Sequence, residues 1–433
     1  MITETPGLHY MKNSFLVSLM GLYFAAQLFF NDIKNYLSIS YIVNIRPDRV
    51  LLLLLLLSFL NYYRKANPII RIHRVESGMI LFVLVLFLSS ILSESIYDPE
   101  NRNISTIFNF AVIPVLMFLI CRRMVFDRGA VRRFFKILTM IGIYLGVTGV
   151  LEHYGISALV YPSYIMDPGL GMYFDRTRGP FLNPAVLGCV LSVLFLVGMV
   201  YVNNFGNKIG YWVLLIPMVA TIYFTYTRSA WLQLAVAPAI IALVEPRMRK
   251  PFCFMGIVFI LLFVCGVLGK FSMEGGTLFS QRERSVNDRV NIMNAARNMF
   301  MEKPLTGFGY GTFGRYAYTE RYFTEMAGVP LHGQGEGNHN VLLGLLAEVG
   351  LIGTIPYLLI FYYFIKVSVS LVKRSESGPR LERDIGVVNL AIVIGYFVAT
   401  QFYDPRFFAM LNGLVFAIAG VTFSISEGRP SEQ

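Results

Sequence analysis

Residues 184–202 read PAVLGCVLSVLFLVGMVYV, nineteen positions without a charged side chain. A helix rises about 1.5 Å per residue, so such a stretch matches the roughly 30 Å hydrocarbon core of a bilayer. Apolar stretches of this kind recur along the whole chain. They centre near residues 22, 56, 85, 112, 144, 193, 218, 237, 260, 361, 394 and 415, about twelve in all by hydropathy. Of the 433 residues 55% are hydrophobic and 15% charged, and the mean hydropathy is +0.59. A soluble domain carries about 25% charged residues. The chain therefore reads as an all-α polytopic membrane protein of about twelve transmembrane helices. Alternating apolar and polar strands are absent, which excludes an outer-membrane barrel. The first stretch, Phe15 to Phe30, has a weakly charged flank and no small-residue cleavage site before Asn31. It is expected to be an anchor rather than a removed signal peptide.

Basic residues cluster in four short loops. The clusters are Arg64, Lys65, Arg71 and Arg74; Arg122 to Lys136; Arg247, Arg249 and Lys250; and Lys373, Arg374, Arg380 and Arg383. With twelve spans all four fall on one side, which the positive-inside rule makes the cytoplasm, with both termini there. The net charge of +11 is thus a topology signal, and nucleic acid is not an expected partner. The four cysteines (Cys121, Cys189, Cys253, Cys265) sit in or beside apolar stretches and read as packing residues. The expected organisation has three parts. Residues 1–269 form an N-terminal membrane region of about nine helices, with an outer loop at 152–183. Residues 270–338 form a large extracytoplasmic loop, and residues 339–433 a C-terminal region of about three helices.

Long ordered loops usually carry function, so the working face is expected outside. In the large loop, Val286, Val290, Met293, Ala296 and Phe300 space as a helix over Ser285 to Met301. Pro304 and four glycines from Gly307 to Gly314 then break it. Among and after them stand Tyr310, Phe313, Tyr316, Tyr318, Tyr322 and Phe323. These rings read as anchors at the lipid headgroup level, ahead of sugar stacking.

Four polar residues stand at membrane-adjacent outer positions: Arg178, Arg228, Arg289 and His339. A lone arginine at such a level often snorkels to headgroups. Three with a histidine favour an anion site, since guanidinium suits bidentate contact with phosphate oxygens. His339 opens an apolar run, and an imidazole titrates near neutrality, as a general base requires. Its neighbours Asn338 and Asn340 could bind substrate, and Glu336, three residues earlier, could orient the ring. Glu348 lies about 180° round a straight helix from His339 and reads as a buried structural residue. Gly350 and Gly353 would allow a break or a close helix contact. The five histidines are scattered and no metal-ligand spacing occurs, so no metal or cofactor is expected. Asp48, in the first outer loop, is a minor rival to His339.

The run His339-Asn-Val-Leu-Leu-Gly-Leu-Leu-Ala-Glu-Val-Gly-Leu-Ile-Gly353 resembles the signature of the O-antigen ligase and Wzy-type polymerase superfamily. Arg289 followed by Pro304-Leu-Thr-Gly-Phe-Gly309 resembles the same family's loop pattern. Arg178-Gly-Pro-Phe-Leu-Asn-Pro184 and Thr227-Arg-Ser229 resemble two further elements, in the expected order. The resemblance implies a membrane-embedded, GT-C-like glycosyltransferase of the bacterial inner membrane, with a large periplasmic loop holding short helices. Its donor would be a glycan on undecaprenyl diphosphate. A ligase passes that glycan to a lipid A-core sugar; a polymerase passes it to another lipid-linked repeat. The resemblance also implies catalysis without a metal, with Arg178, Arg228 and Arg289 on the diphosphate and His339 on the acceptor hydroxyl. A transporter of lipid-linked glycan, or a structural assembly subunit, are the readings from other classes.

Overall fold

The computed structural model describes residues 6–29, 47–66, 72–97, 103–171, 173–206, 210–244, 277–319, 321–323, 337–375 and 378–427. Among them there is no β-strand. The main helices are α1 (Pro6–Phe29), α2 (Pro47–Ala66), α3 (Arg74–Leu92), α4 (Asn103–Arg123), α5 (Arg128–His153) and α6 (Pro184–Phe205). They continue as α7 (Gly210–Phe224), α8 (Arg228–Val244), α9 (Thr277–Glu302), α10 (Val341–Arg374), α11 (Arg380–Ala399) and α12 (Ala409–Ser426). Every apolar centre read from the sequence falls in one of these helices except that near 260, which lies outside the described residues. Six of the helices (α3, α4, α5, α6, α10 and α12) are long and apolar enough to cross a membrane, and α7, α8 and Ser14–Phe29 are shorter apolar helices. The protein is a multi-pass membrane protein.

The surface agrees with that. On α2, Leu55, Phe59 and Tyr62 are buried, yet Leu53, Leu57 and Leu60 on other faces stand exposed. On α3, Met79, Phe82 and Leu86 are buried while Ile80, Leu84 and Leu88 are exposed. Helices apolar all round need an apolar solvent. The most enclosed span is α6, packed against α5, α7, α8 and α11.

The two ends of the bundle differ in chemistry. At one end Arg122 binds Glu76 at 2.6 Å and Glu427 at 2.8 Å, and Arg123 binds Glu76 at 2.7 Å. Arg374 donates to the last carbonyls of α12, and Arg380 to Asn203 of α6. Asp384 accepts from Asn203 and Asn204, and Arg383 reaches the carbonyl of Val244. The starts of α3 and α11 and the ends of α4, α6, α8, α10 and α12 thus meet at this basic end.

The opposite end depends on a broken helix. Gly350 in α10 has φ 58° and ψ −158°, a conformation open essentially to glycine alone. The break turns the carbonyls of Ala347 and Glu348 and the amides of Leu351 and Ile352 out of the helical ladder. The segment after α9 takes up all four. Phe308 N–H donates to Ala347 O at 3.0 Å and Gly309 N–H to Glu348 O at 2.8 Å. Leu351 N–H donates to Pro304 O at 2.9 Å and Ile352 N–H to Leu305 O at 3.1 Å. The approach is too close for side chains. A Cβ on Gly350 would lie 2.4 Å from the Leu305 carbonyl, and one on Gly307 (φ 65°) 2.4 Å from the Glu348 carbonyl carbon. Gly353, one turn on, packs its bare face against Val349 and against Val85 of α3.

This pairing also fixes α9, which extends beyond the expected 285–301 to Thr277–Glu302. Ile292, Ala295, Ala296 and Met299 form a small second core with Phe313, Ala317, Tyr322 and Ala347. The reading of the loop aromatics as headgroup anchors is therefore corrected for these rings. Tyr310, Phe313 and Tyr322 are buried, and Tyr316, Tyr318 and Phe323 pack half-buried around them. The glycine turns fold the segment back on α9 and α10, and burial of the rings supplies the apolar contact that a polar helix lacks.

Gly350→Ala is expected to cost about 3 kcal/mol or more, from the strained conformation together with the clash at Leu305. Gly78→Ala, where nothing lies within 4 Å of the added methyl, should be neutral or raise stability by up to about 1 kcal/mol. Thermal unfolding of both variants in detergent checks this; equal behaviour would remove the special role given to the break.

Candidate functional site

His339 sits between two asparagines that shape the backbone on either side of it. Asn340 caps the first half of α10, its Oδ1 accepting from Leu343 N–H at 2.9 Å. Asn338 Oδ1 accepts from Asn340 N–H at 3.0 Å. Asn338 is buried, and its Nδ2 has no hydrogen-bond partner among the described residues. The imidazole of His339 between them is half-buried. Glu336, expected to orient it, lies outside the described residues.

Arg289 stands on α9, which packs against α10. The segments after α9 and around the break run side by side, Pro304 and Leu305 facing Leu351 and Ile352. Ile292, Ala296 and Met299 of α9 share one small core with Ala347 and Leu343 of α10, so α9 packs against the first half of α10. Arg289 lies one turn before Ile292.

Arg228 arrives from another side. It is exposed and opens α8. Helices α8 and α11 pack antiparallel, with Val244 near Arg383 and Gln233 against Gly395. The start of α8 is therefore level with the end of α11. There the carbonyl of Thr400 accepts from Val341 N–H at 3.0 Å. Arg228 and His339 thus stand at one end of the bundle, the end away from the basic cluster, and Arg289 is on the helix packed against the first half of α10.

Arg178 lies at this end too, but its guanidinium is committed. The residue is 1% exposed. Nη1 donates to Leu170 O, and Nη2 to Ile165 O and Asp167 O. Nε is 4.0 Å from Glu152 Oε1, whose carboxylate also accepts from the amides of Arg178 and Gly179. Burial pushes the guanidinium pKa down, opposed by Glu152 and then Asp167. Arg178 holds the 152–183 loop together. Asn183 ends that loop by capping α6 through Ala185 and Val186 N–H, and Thr177 N–H ties it to Phe224 O beside the Arg228 turn.

Glu348 is buried and structural in its contacts. Oε1 accepts from Phe313 N–H at 3.1 Å, and Oε2 lies 2.6 Å from Arg406 Nη1. Arg406 also binds Asp404 through Nε at 3.0 and 2.9 Å, and through Nη2 at 2.8 Å. Its guanidinium lies 5.7 Å from the centre of the Tyr310 ring. One buried arginine between two carboxylates joins α10, the loop after α9 and the turn before α12. Sequence reasoning passed over Arg406 because Asp404 to Arg406 reads as a short turn. The available signal was a charged pair held between two apolar helices, where unpaired charge is costly.

Residues 213–358 match the O-antigen ligase family model. The match covers α7, α8, α9 and the broken part of α10, and with them Arg228, Arg289, His339, Glu348, Gly350 and Gly353. Arg178 and Arg406 fall outside it. No curated protein matches the chain. The resemblance to the O-antigen ligase and Wzy-type family is thereby shown over the segment that carries the break, its partner loop and the histidine.

Arg406→Met is expected to cost about 3–5 kcal/mol, because it leaves two carboxylates buried without a counter-charge. Adding Glu348→Gln should return part of that loss, since the amide oxygen still accepts from Phe313 N–H. Unfolding midpoints of the single and double variants test this, and strictly additive losses would mean that the two residues do not act as a pair.

Proposed function

We propose that this protein is an O-antigen ligase-type glycosyltransferase. It moves a glycan from undecaprenyl diphosphate to a lipid A-core sugar hydroxyl at the periplasmic face of the bacterial inner membrane. The observation that supports the reading is the placement of Arg228 and His339 at one end of the bundle, with Arg289 on the helix packed against α10, all within the family-matched segment. The positive-inside rule supports placing that end outside, because the arginine-rich helix ends gather at the other. About twelve spans with both termini in the cytoplasm fit the same sidedness.

In the proposed reaction Arg228 and Arg289 hold the diphosphate and stabilise its growing negative charge as the bond from the anomeric carbon to phosphate oxygen breaks. His339 accepts the proton of the acceptor hydroxyl while that oxygen bonds to the anomeric carbon from the opposite side. Configuration inverts, and undecaprenyl diphosphate leaves. Arg178 supports the 152–183 loop rather than the anion, since its donors are already engaged. Asn338 and Asn340 set the backbone that presents His339. A transporter would use interrupted-helix backbone groups to coordinate its cargo. Here the groups freed at Gly350 are paired within the protein, which favours a fixed site over a moving one. No metal is assigned a role.

A Wzy-type polymerase would use the same donor site with a lipid-linked acceptor, and the acceptor decides between them. Purified protein is given labelled glycan on undecaprenyl diphosphate, with EDTA, and either lipid A-core or only further lipid-linked repeats. Product on lipid A-core is expected, falling by about 10²–10⁴-fold in His339→Ala and strongly in Arg228→Ala. A ladder from repeats alone would make the enzyme a polymerase. Wild-type rates in both variants would remove the proposed site.

A further inference from the structure

Residues 154–166 read YGISALVYPSYIM, a run without a charged side chain that follows α5 directly. It is too short to cross a bilayer and holds only two single turns of tight helix, Ser157–Leu159 and Ser163–Met166. Apolar runs of about 10–14 residues are either core elements or segments that enter a membrane surface and turn back. Exposure separates the two. Val160, Pro162 and Ile165 are buried, whereas Leu159 and Tyr161 are 66% and 65% exposed and Ile156 is exposed as well. The run is therefore apolar on its open side as well as its packed one, which calls for an apolar solvent. The second half of the same loop supplies the contrast. Charge begins at Asp167, and the Asp175 side chain stands 70% exposed beside Arg176.

Position along the bundle agrees. The Tyr144 hydroxyl donates to Tyr161 O. Tyr144 lies nine residues before the end of α5 at His153, about 13 Å back along the helix. The Tyr164 hydroxyl reaches Leu28 O at 3.2 Å, and the Tyr161 ring meets that of Phe29 at 5.9 Å. Leu28 and Phe29 end the apolar helix α1. The segment thus turns back beside the last turns of two apolar helices instead of rising away from them. On α5, Met140 and Val147 flank Tyr144 on one helix face and are exposed. In a multi-pass membrane protein that face meets lipid, and Tyr161 continues it. The backbone suits such a place. The amides of Ile156, Ser157, Leu159, Val160, Ile165 and Asp167 all donate to carbonyls of the segment or of the end of α5. Non-helical backbone at membrane depth requires pairing of this kind.

We propose that residues 154–166 dip into the bilayer at the end of the bundle away from the basic cluster, with Ile156, Leu159 and Tyr161 against lipid at the boundary between headgroups and acyl chains. A tyrosine suits that level, apolar in its ring and polar at its tip. The loop carries this level on to the turn before α8. Arg178 holds the return of the segment through Ile165 O and Asp167 O, and Thr177 N–H bonds to Phe224 O, four residues before Arg228. One loop therefore joins the membrane surface to the Arg228 turn.

The test is fluorescence quenching on the full-length chain in nanodiscs. Leu159→Trp and Tyr161→Trp are each read against the wild type, which gives the signal of Trp212 and Trp231, and against Asp175→Trp in the charged half of the loop. Phospholipids brominated at a shallow acyl position are expected to quench the fluorescence added at 159 and 161 several-fold more than that added at 175. Aqueous iodide should show the reverse order. Iodide quenching without bromolipid quenching at 159 and 161 would overturn the proposal, because the segment would then face water. Protection from both quenchers would overturn it as well, since a second copy or another protein would be covering the surface. The unaltered chain gives an independent reading that needs no variant to fold. A phospholipid carrying a diazirine at a shallow acyl carbon should leave adducts on residues 155–161, and adducts confined to the membrane helices would count against the dip. Neither readout depends on transfer activity.

Discussion

Four backbone hydrogen bonds across the break at Gly350 organise the end of the bundle that lies away from the basic cluster. A helix interrupted inside a membrane protein exposes two carbonyls and two amides, and leaving them unpaired would cost on the order of 1–3 kcal/mol each. The segment from Pro304 to Gly309 supplies the missing partners. Because it follows α9 directly, the same bonds that repair α10 also dock α9 against it. His339, before the first half of α10, and Arg289, on α9, are thereby held in one arrangement although fifty residues separate them in the chain.

The buried charges reinforce this joint. Glu348 immediately precedes the break region, and its carboxylate reaches both the loop after α9 and Arg406. A buried ion pair is weak support for stability when compared with an apolar core. Its value here is directional: Arg406 has carboxylates on two sides and the Tyr310 ring near it, so only one relative placement of three segments satisfies it. The basic end uses the same device, with Arg122 and Arg123 sharing Glu76. Each end of the bundle is thus locked by a buried carboxylate between segments distant in sequence.

Much of this is legible in the sequence, and the limits have physical causes. Apolar length and basic loops located the helices because a bilayer imposes both rules locally along the chain. Gly350 and Gly353 were recognisable as a place for a break, and Glu348 as a buried structural carboxylate, since each rests on a single residue's cost in its surroundings. The partner of the break was not legible. Pro304 to Gly309 and Ala347 to Ile352 pair through backbone groups, which every sequence carries alike. Arg178 shows a related limit: an arginine before a span looks the same in sequence whether its donors face a ligand or, as here, loop carbonyls. The aromatic run after Gly307 reads as a membrane anchor in the sequence because composition gives ring number but not the fold-back that buries the rings.

Helix ends explain why the arginines, rather than backbone dipoles, dominate the charge at the site. A helix start offers unpaired amides to an anion, and α10 begins beside His339. Two of its first amides are already used: Val341 N–H goes to the carbonyl of Thr400 just after α11 and Leu343 N–H to Asn340. The positive end of one helix therefore closes the negative end of another, and little of either field is left over. What remains at that end is formal charge on side chains. Arg228 starts α8 at the exposed surface, while Arg178 is turned inward to the loop.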